Sequence, residues 1–163
     1  RLASVLEKVL RDSFPELDQD SCEIRLGTFN NPEYFFDTSH LSHGKIFLNR
    51  CVYRLGFNQA IFVNQIPDEA FAAILAHELC HLVDYQKMTS PKILALGIRM
   101  LADEKFRAKY ERQTDLCAIH RGYGIGLIEH KKWFYPLLSG DALLRKKKLY
   151  LRPEEIADFL RTQ

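Results

Sequence analysis

The stretch Ala70-Phe71-Ala72-Ala73-Ile74-Leu75-Ala76-His77-Glu78-Leu79-Cys80-His81-Leu82-Val83 decides how the whole chain is read. Wound as a helix it is apolar on nearly every side, which marks a buried element rather than an amphipathic surface one. Pro67, Asp68 and Glu69 precede it. Proline is tolerated in a first helical turn, and acids are favourable at the positive end of the helix dipole. Only His77, Glu78 and His81 break the apolar surface. Polar side chains in such a helix are costly unless something satisfies them, and a metal ion does so. Residues four apart share a helix face, with Cβ atoms about 5–6 Å apart, so the imidazoles of His77 and His81 can reach one ion.

The order His77-Glu78-x-x-His81 is the HExxH zinc pattern, in which two histidines hold Zn²⁺ and the glutamate is the general base. Glu78 lies one position round the helix, beside the water of such a site rather than the metal. Catalytic zinc takes three protein ligands plus water, so a third ligand is required. A metzincin continuation needs glycine and histidine where Asp84 and Lys87 stand, which excludes that branch. The best candidate lies in Glu111-Arg112-Gln113-Thr114-Asp115, where Glu111 and Asp115 share a helix face. Ala108 and Ala118 continue that face with small side chains and permit close approach to the His77–His81 helix. Glu111 then completes the ligand set, and Asp115 accepts the outward ring N–H of a ligand histidine. The competing expectation makes both residues surface carboxylates paired with Arg107 or Arg112. Glu104 is the fallback ligand.

A chain of 163 residues with 47% hydrophobic residues is long enough for one globular domain with its own core, expected over 1–163. The net charge of +2 is too mild to nominate nucleic acid or a membrane surface as partner, and no apolar run is long enough to span a bilayer. Cys22, Cys51, Cys80 and Cys117 lack the CxxC spacing of a cysteine zinc site. Cys80 and Cys117, among apolar helical neighbours, are expected to be free buried thiols.

Leu2, Val5, Leu6, Val9 and Leu10 recur at helical spacing, and Phe14-Pro15 ends that helix. Alternation from Cys22 to Leu26, closed by Gly27, predicts a strand. Asn30 to Gly44 reads as a loop, and the HxxH of His40 and His43 within it as two solvated histidines. Lys45–Tyr53 and Ala60–Asn64 read as strands separated by a turn at Gly56-Phe57-Asn58. The expected fold is therefore α+β. A small antiparallel or mixed sheet packs on the His77–His81 helix, with the glutamate-bearing helix and C-terminal helices following. An exposed edge of that sheet can take an extended peptide through main-chain hydrogen bonds.

A helix from Ser90 to Leu101 is expected to pack behind the central one, and another runs from about Asp103 to Arg121, ending at Gly122. Gly122, Gly124 and Gly126 read as a helix cap and turn rather than a dinucleotide loop. Trp133 and Phe134 lie in an apolar segment, Arg145-Lys146-Lys147-Lys148 reads as a solvated helix face, and a last helix starts at Pro153.

His77-Glu78-x-x-His81 followed by Glu111-x-x-x-Asp115 resembles the gluzincin branch of zinc metallopeptidases, and the short chain looks most like the minigluzincins. The resemblance runs from about Lys45 to Gly126 and is specific at the two motifs. It implies an active-site helix, a glutamate helix, a zinc cofactor and hydrolysis of a peptide or protein substrate, with Glu78 acting on a zinc-activated water. It departs from thermolysin-like gluzincins in the helix standing between the second histidine and Glu111. Gluzincins also carry a downstream transition-state donor, for which Tyr123 and His130 are the candidates here. The alternative expectation is a gluzincin-like fold that binds zinc but is latent or inert and serves as an interaction module.

Overall fold

In the computed structural model, residues 1–17, 22–30, 36–44 and 50–162 are described. The fold is α+β, and the chain packs as two compact units. One comprises Arg1–Gln65 with Glu78–Gly97, the other Ile66–His77 with Ile98–Gln163.

In the first unit α1 (Leu2–Ser13) buries Leu2, Leu6 and Val9, one per turn, as the helical spacing requires. Phe14 follows, almost wholly buried. A mixed sheet is built from β1 (Cys22–Phe29), β2 (Phe36–Gly44) and β3 (Arg50–Asn58) in the order β1-β3-β2. β1 runs parallel to β3 from Cys22↔Cys51 to Phe29↔Asn58. β2 runs antiparallel to β3, with a bulge between His40 and Ser42.

Three sequence expectations are corrected in this unit. The segment read as a loop up to Gly44 contains β2, a polar edge strand paired on one side only, so its composition does not advertise it. Its His40 and His43 fall at strand positions, and their side chains lie outside the described residues. Gly56-Phe57-Asn58 is not a turn but the end of β3. A Cβ at Gly56 would approach Phe29 Cδ1 to 3.1 Å and the Asp37 carbonyl oxygen to 3.4 Å, so that glycine serves strand packing. The expected strand after it is a single helical turn, α2 (Ala60–Val63), with Ile61 buried and Val63 80% exposed. So short an apolar run carries no period that separates strand from helix. Residues 45–49 of the expected Lys45–Tyr53 strand lie outside the described residues.

The helix α3 (Asp68–Gln86) holds the central stretch and contributes to both units. In the first unit Tyr85 on α3 lies 6.4 Å from the Tyr53 ring of β3, and Gln86 donates to the Glu16 carbonyl at 3.2 Å. Helix α4 (Ser90–Ala102) forms as expected, but none of its residues is buried. Leu94, Ile98 and Leu101 are exposed.

In the second unit Asp103 caps α5 (Glu104–Ala118) by accepting the Phe106 N–H at 2.9 Å. A π-turn over Ile119–Tyr123 follows, with Gly122 at φ +92° as the cap position demands. Gly124 and Gly126 do not belong to that turn. They open α6 (Gly124–Phe134) and let it approach its neighbours. A Cβ at Gly126 would meet the Glu69 carbonyl oxygen at 2.5 Å and Ala73 Cβ at 2.7 Å, both on the first half of α3. Then come α7 (Gly140–Leu149) and α8 (Pro153–Arg161), which bury Leu149 and Ile156. The basic run of α7 is solvated except at Lys146, which is buried. Among the described residues no helix is long and apolar enough to cross a membrane.

Candidate metal centre

His77 and His81 stand one turn apart on α3, and Glu111 stands in the middle of α5. All are buried, and each offers one ligand atom within 4.8 Å of the others, so the group can hold a metal ion. Glu78, also buried at 8% exposure, follows His77 in sequence but does not belong to this group.

His77 shows why these groups are arranged as they are. Its Nδ1 lies 2.9 Å from Asp115 Oδ1. An ionised carboxylate only accepts, so Nδ1–H donates and the neutral ring is left with its lone pair on Nε2. That Nε2 faces Glu111 Oε2 at 3.3 Å. Two acceptor atoms at that distance, both buried, require a proton or a cation between them. The separation is also about the edge of a tetrahedron whose metal–ligand bonds measure about 2.0 Å, the length of zinc bonds to nitrogen and carboxylate oxygen. The donor set of two imidazoles and one carboxylate could hold a metal ion.

Asp115 is held on both oxygens. Oδ1 takes the His77 ring, while Oδ2 accepts the Leu151 backbone N–H at 2.9 Å and the Lys131 ammonium at 3.2 Å. Burial is the largest single influence on this carboxyl and pushes its pKa up. Lys131, His77 and the Leu151 N–H together outweigh it, leaving the group below the usual carboxylate value. The Tyr150 ring covers His77 at 5.7 Å, and Lys131 Nζ lies 5.3 Å from the centre of that ring.

The remaining candidates fall elsewhere. Arg112 does not pair with Glu111. It binds Glu155 at 2.5 Å and the Tyr150 carbonyl at 3.0 Å, which leaves Glu111 to face His77. Glu104, the fallback ligand, is an exposed partner of Lys148 at 2.9 Å and is absent from the ligand group. Tyr123 is half-buried at the end of the π-turn. His130 is buried against Phe134 and Trp133, at 5.5 and 6.1 Å. Burial first, then the nearby Lys131 charge, pushes its pKa down to about 3, so the ring is neutral at ordinary pH. Cys80 and Cys117 are disulfide-bonded, contrary to the expectation of free thiols, whereas Cys22 is a buried thiol. The sequence spacing around neither cysteine marks it for a bridge.

Lys131, Tyr150 and the Leu151 N–H were not foreseen from the sequence. Lys131 stands beside Lys132 in the same helix, and nothing local separates the buried lysine from the solvated one. No protein-family model, curated protein or solved structure matches the chain.

Proposed function

We propose that the chain is a zinc-dependent peptidase in which His77, His81 and Glu111 hold the metal and Glu78 is the general base. The observation that carries this reading is the convergence of a buried HExxH pair with Glu111, backed by Asp115 on the outer nitrogen of His77. A zinc ion held there supplies Lewis acidity toward a water and a peptide carbonyl. Glu78 takes a proton from the attacking water on a carboxylate oxygen and returns it to the departing amine nitrogen. Asp115 keeps the proton of His77 on Nδ1 and so keeps the Nε2 lone pair directed inward. An extended peptide is the substrate class suited to a sheet edge, and β1 and β2 are the edges in the unit that also carries Glu78 and His81.

The burial of His77, Glu78, His81 and Glu111 favours a second reading, in which the same centre binds zinc in a latent or inert form and acts as an interaction module. Peptide-library hydrolysis by the zinc-loaded chain separates the two. The peptidase reading predicts cleavage that is abolished in Glu78→Gln while zinc content stays at the wild-type level. Zinc-loaded protein that cleaves nothing in the library favours the latent form, and turnover retained in Glu78→Gln removes Glu78 from the mechanism.

A further inference from the structure

Three features lie outside the ligand group and bear on it or on the surface. One is the exposed apolar side of α4, where nothing indicates what covers it. A second is the shallow basic groove of Arg99, Lys105 and Lys109 around Phe106 and Tyr110, whose lysines are ordinary solvated side chains on a helix surface. The third is Lys131, whose ammonium group is buried at the back of the metal centre.

We infer that Lys131 is a positioning residue for the metal centre: it fixes the Asp115 carboxylate and, through it, the His77 ring. This rests on the metal-binding reading given above. The geometry is a chain of three links inside one unit. Lys131 Nζ meets Asp115 Oδ2 at 3.2 Å, Asp115 Oδ1 meets His77 Nδ1 at 2.9 Å, and His77 Nε2 faces Glu111 Oε2 at 3.3 Å.

Every group in the chain is nearly excluded from solvent, with side-chain exposures of 5% for Lys131, 1% for Asp115 and 2% for His77. Bulk solvent therefore does not reach the contact between Lys131 and Oδ2. The Leu151 N–H at 2.9 Å occupies the same oxygen, and these two contacts leave Oδ1 for the histidine. A carboxylate held on one oxygen by a backbone donor alone can swing about that bond. The ammonium supplies the second fixed point and the opposite charge that a buried carboxylate needs. Lys131 is itself braced, since its ammonium lies 5.3 Å from the Tyr150 ring that covers His77. Lysine suits this place because its ammonium is a compact point charge on a long apolar stem.

The test measures zinc affinity by chelator competition for wild type, Lys131→Met, Asp115→Asn and the double variant, with the unfolding of each metal-free protein recorded alongside. Outer partners of metal ligands are worth about 10- to 100-fold in affinity. Each single variant is expected to weaken zinc binding in that range. The double variant is expected to bind no more weakly than the weaker single variant, because both act through one link. A residue that only supports folding would lower thermal stability and leave affinity unchanged.

Wild-type affinity in Lys131→Met, or losses that multiply in the double variant, would overturn the inference. Where Lys131→Met fails to fold, the double variant, which leaves no charge of this pair uncompensated, is compared with Asp115→Asn alone. Equal affinity supports the inference, and a further tenfold loss overturns it. Failure of the metal reading itself looks different, because wild type would then take up no zinc.

Discussion

His77 Nδ1 and Asp115 Oδ1 stand 2.9 Å apart in a region where neither side chain is more than 2% exposed. That contact fixes which nitrogen of His77 is free for a metal, and it makes the stability of the second unit depend on the same carboxylate. Asp115 also balances the charge of buried Lys131. In Asp115→Ala that ammonium is left without its partner, at a cost of about 3–5 kcal/mol. Urea unfolding of the metal-free variant should show a lowered midpoint. An unchanged midpoint would mean that Lys131 finds other compensation.

Gly126 sits where α6 meets the first half of α3. An alanine there places a methyl group 2.5 Å from the Glu69 carbonyl oxygen and 2.7 Å from Ala73 Cβ. Both neighbours are fixed by the helix, so the overlap is relieved only by backbone movement, costing about 1–3 kcal/mol. At Gly124 the opposing atoms are the methyl ends of Leu160, the nearest at 2.9 Å, and these can rotate away. Gly126→Ala should therefore be the less stable of the two alanine variants in chemical denaturation. The reverse order would refute the close packing of α6 on α3.

His130 sets an acid limit on stability. Its folded pKa of about 3 lies below the unfolded value of 6.5, so the unfolded chain binds the extra proton between them. The contribution is fully present above pH 6.5 and is lost progressively as the pH falls toward 3. Over that window the residue adds up to about 1.4 kcal/mol per pH unit to the slope of stability against pH. His130→Phe retains a ring against Phe134 and Trp133 and removes the titration. Unfolding free energies of the metal-free variant between pH 4 and 6 should fall less steeply than those of wild type. Equal slopes would show that His130 titrates normally.

The sequence and the structure agree where a residue's own neighbours determine its fate. The helix α3 is legible because an apolar stretch with histidines four apart has few other solutions, and Glu111 and Asp115 are legible because α5 presents them on one face. Leu2, Leu6 and Val9 are legible by the same periodicity. The strand β2 is not, because its polar residues belong to an edge whose partner, β3, is remote in sequence. Lys146 reads as a solvated charge within its basic run, and nothing local marks Lys131, since the carboxylate that draws it inward lies on another helix. The disulfide-bonded state of Cys80 and Cys117 is hidden for the same reason: it depends on tertiary proximity. α4 fails in the opposite sense, with an apolar pattern that promises burial and a structure that leaves it exposed.

The most direct measurement is the zinc content of the purified chain, stripped of metal and reloaded, with and without Glu111→Ala. Three ligands converging from α3 and α5 predict one zinc per wild-type chain and affinity reduced by at least tenfold in the variant. Unchanged zinc affinity in Glu111→Ala would contradict the His77–His81–Glu111 centre.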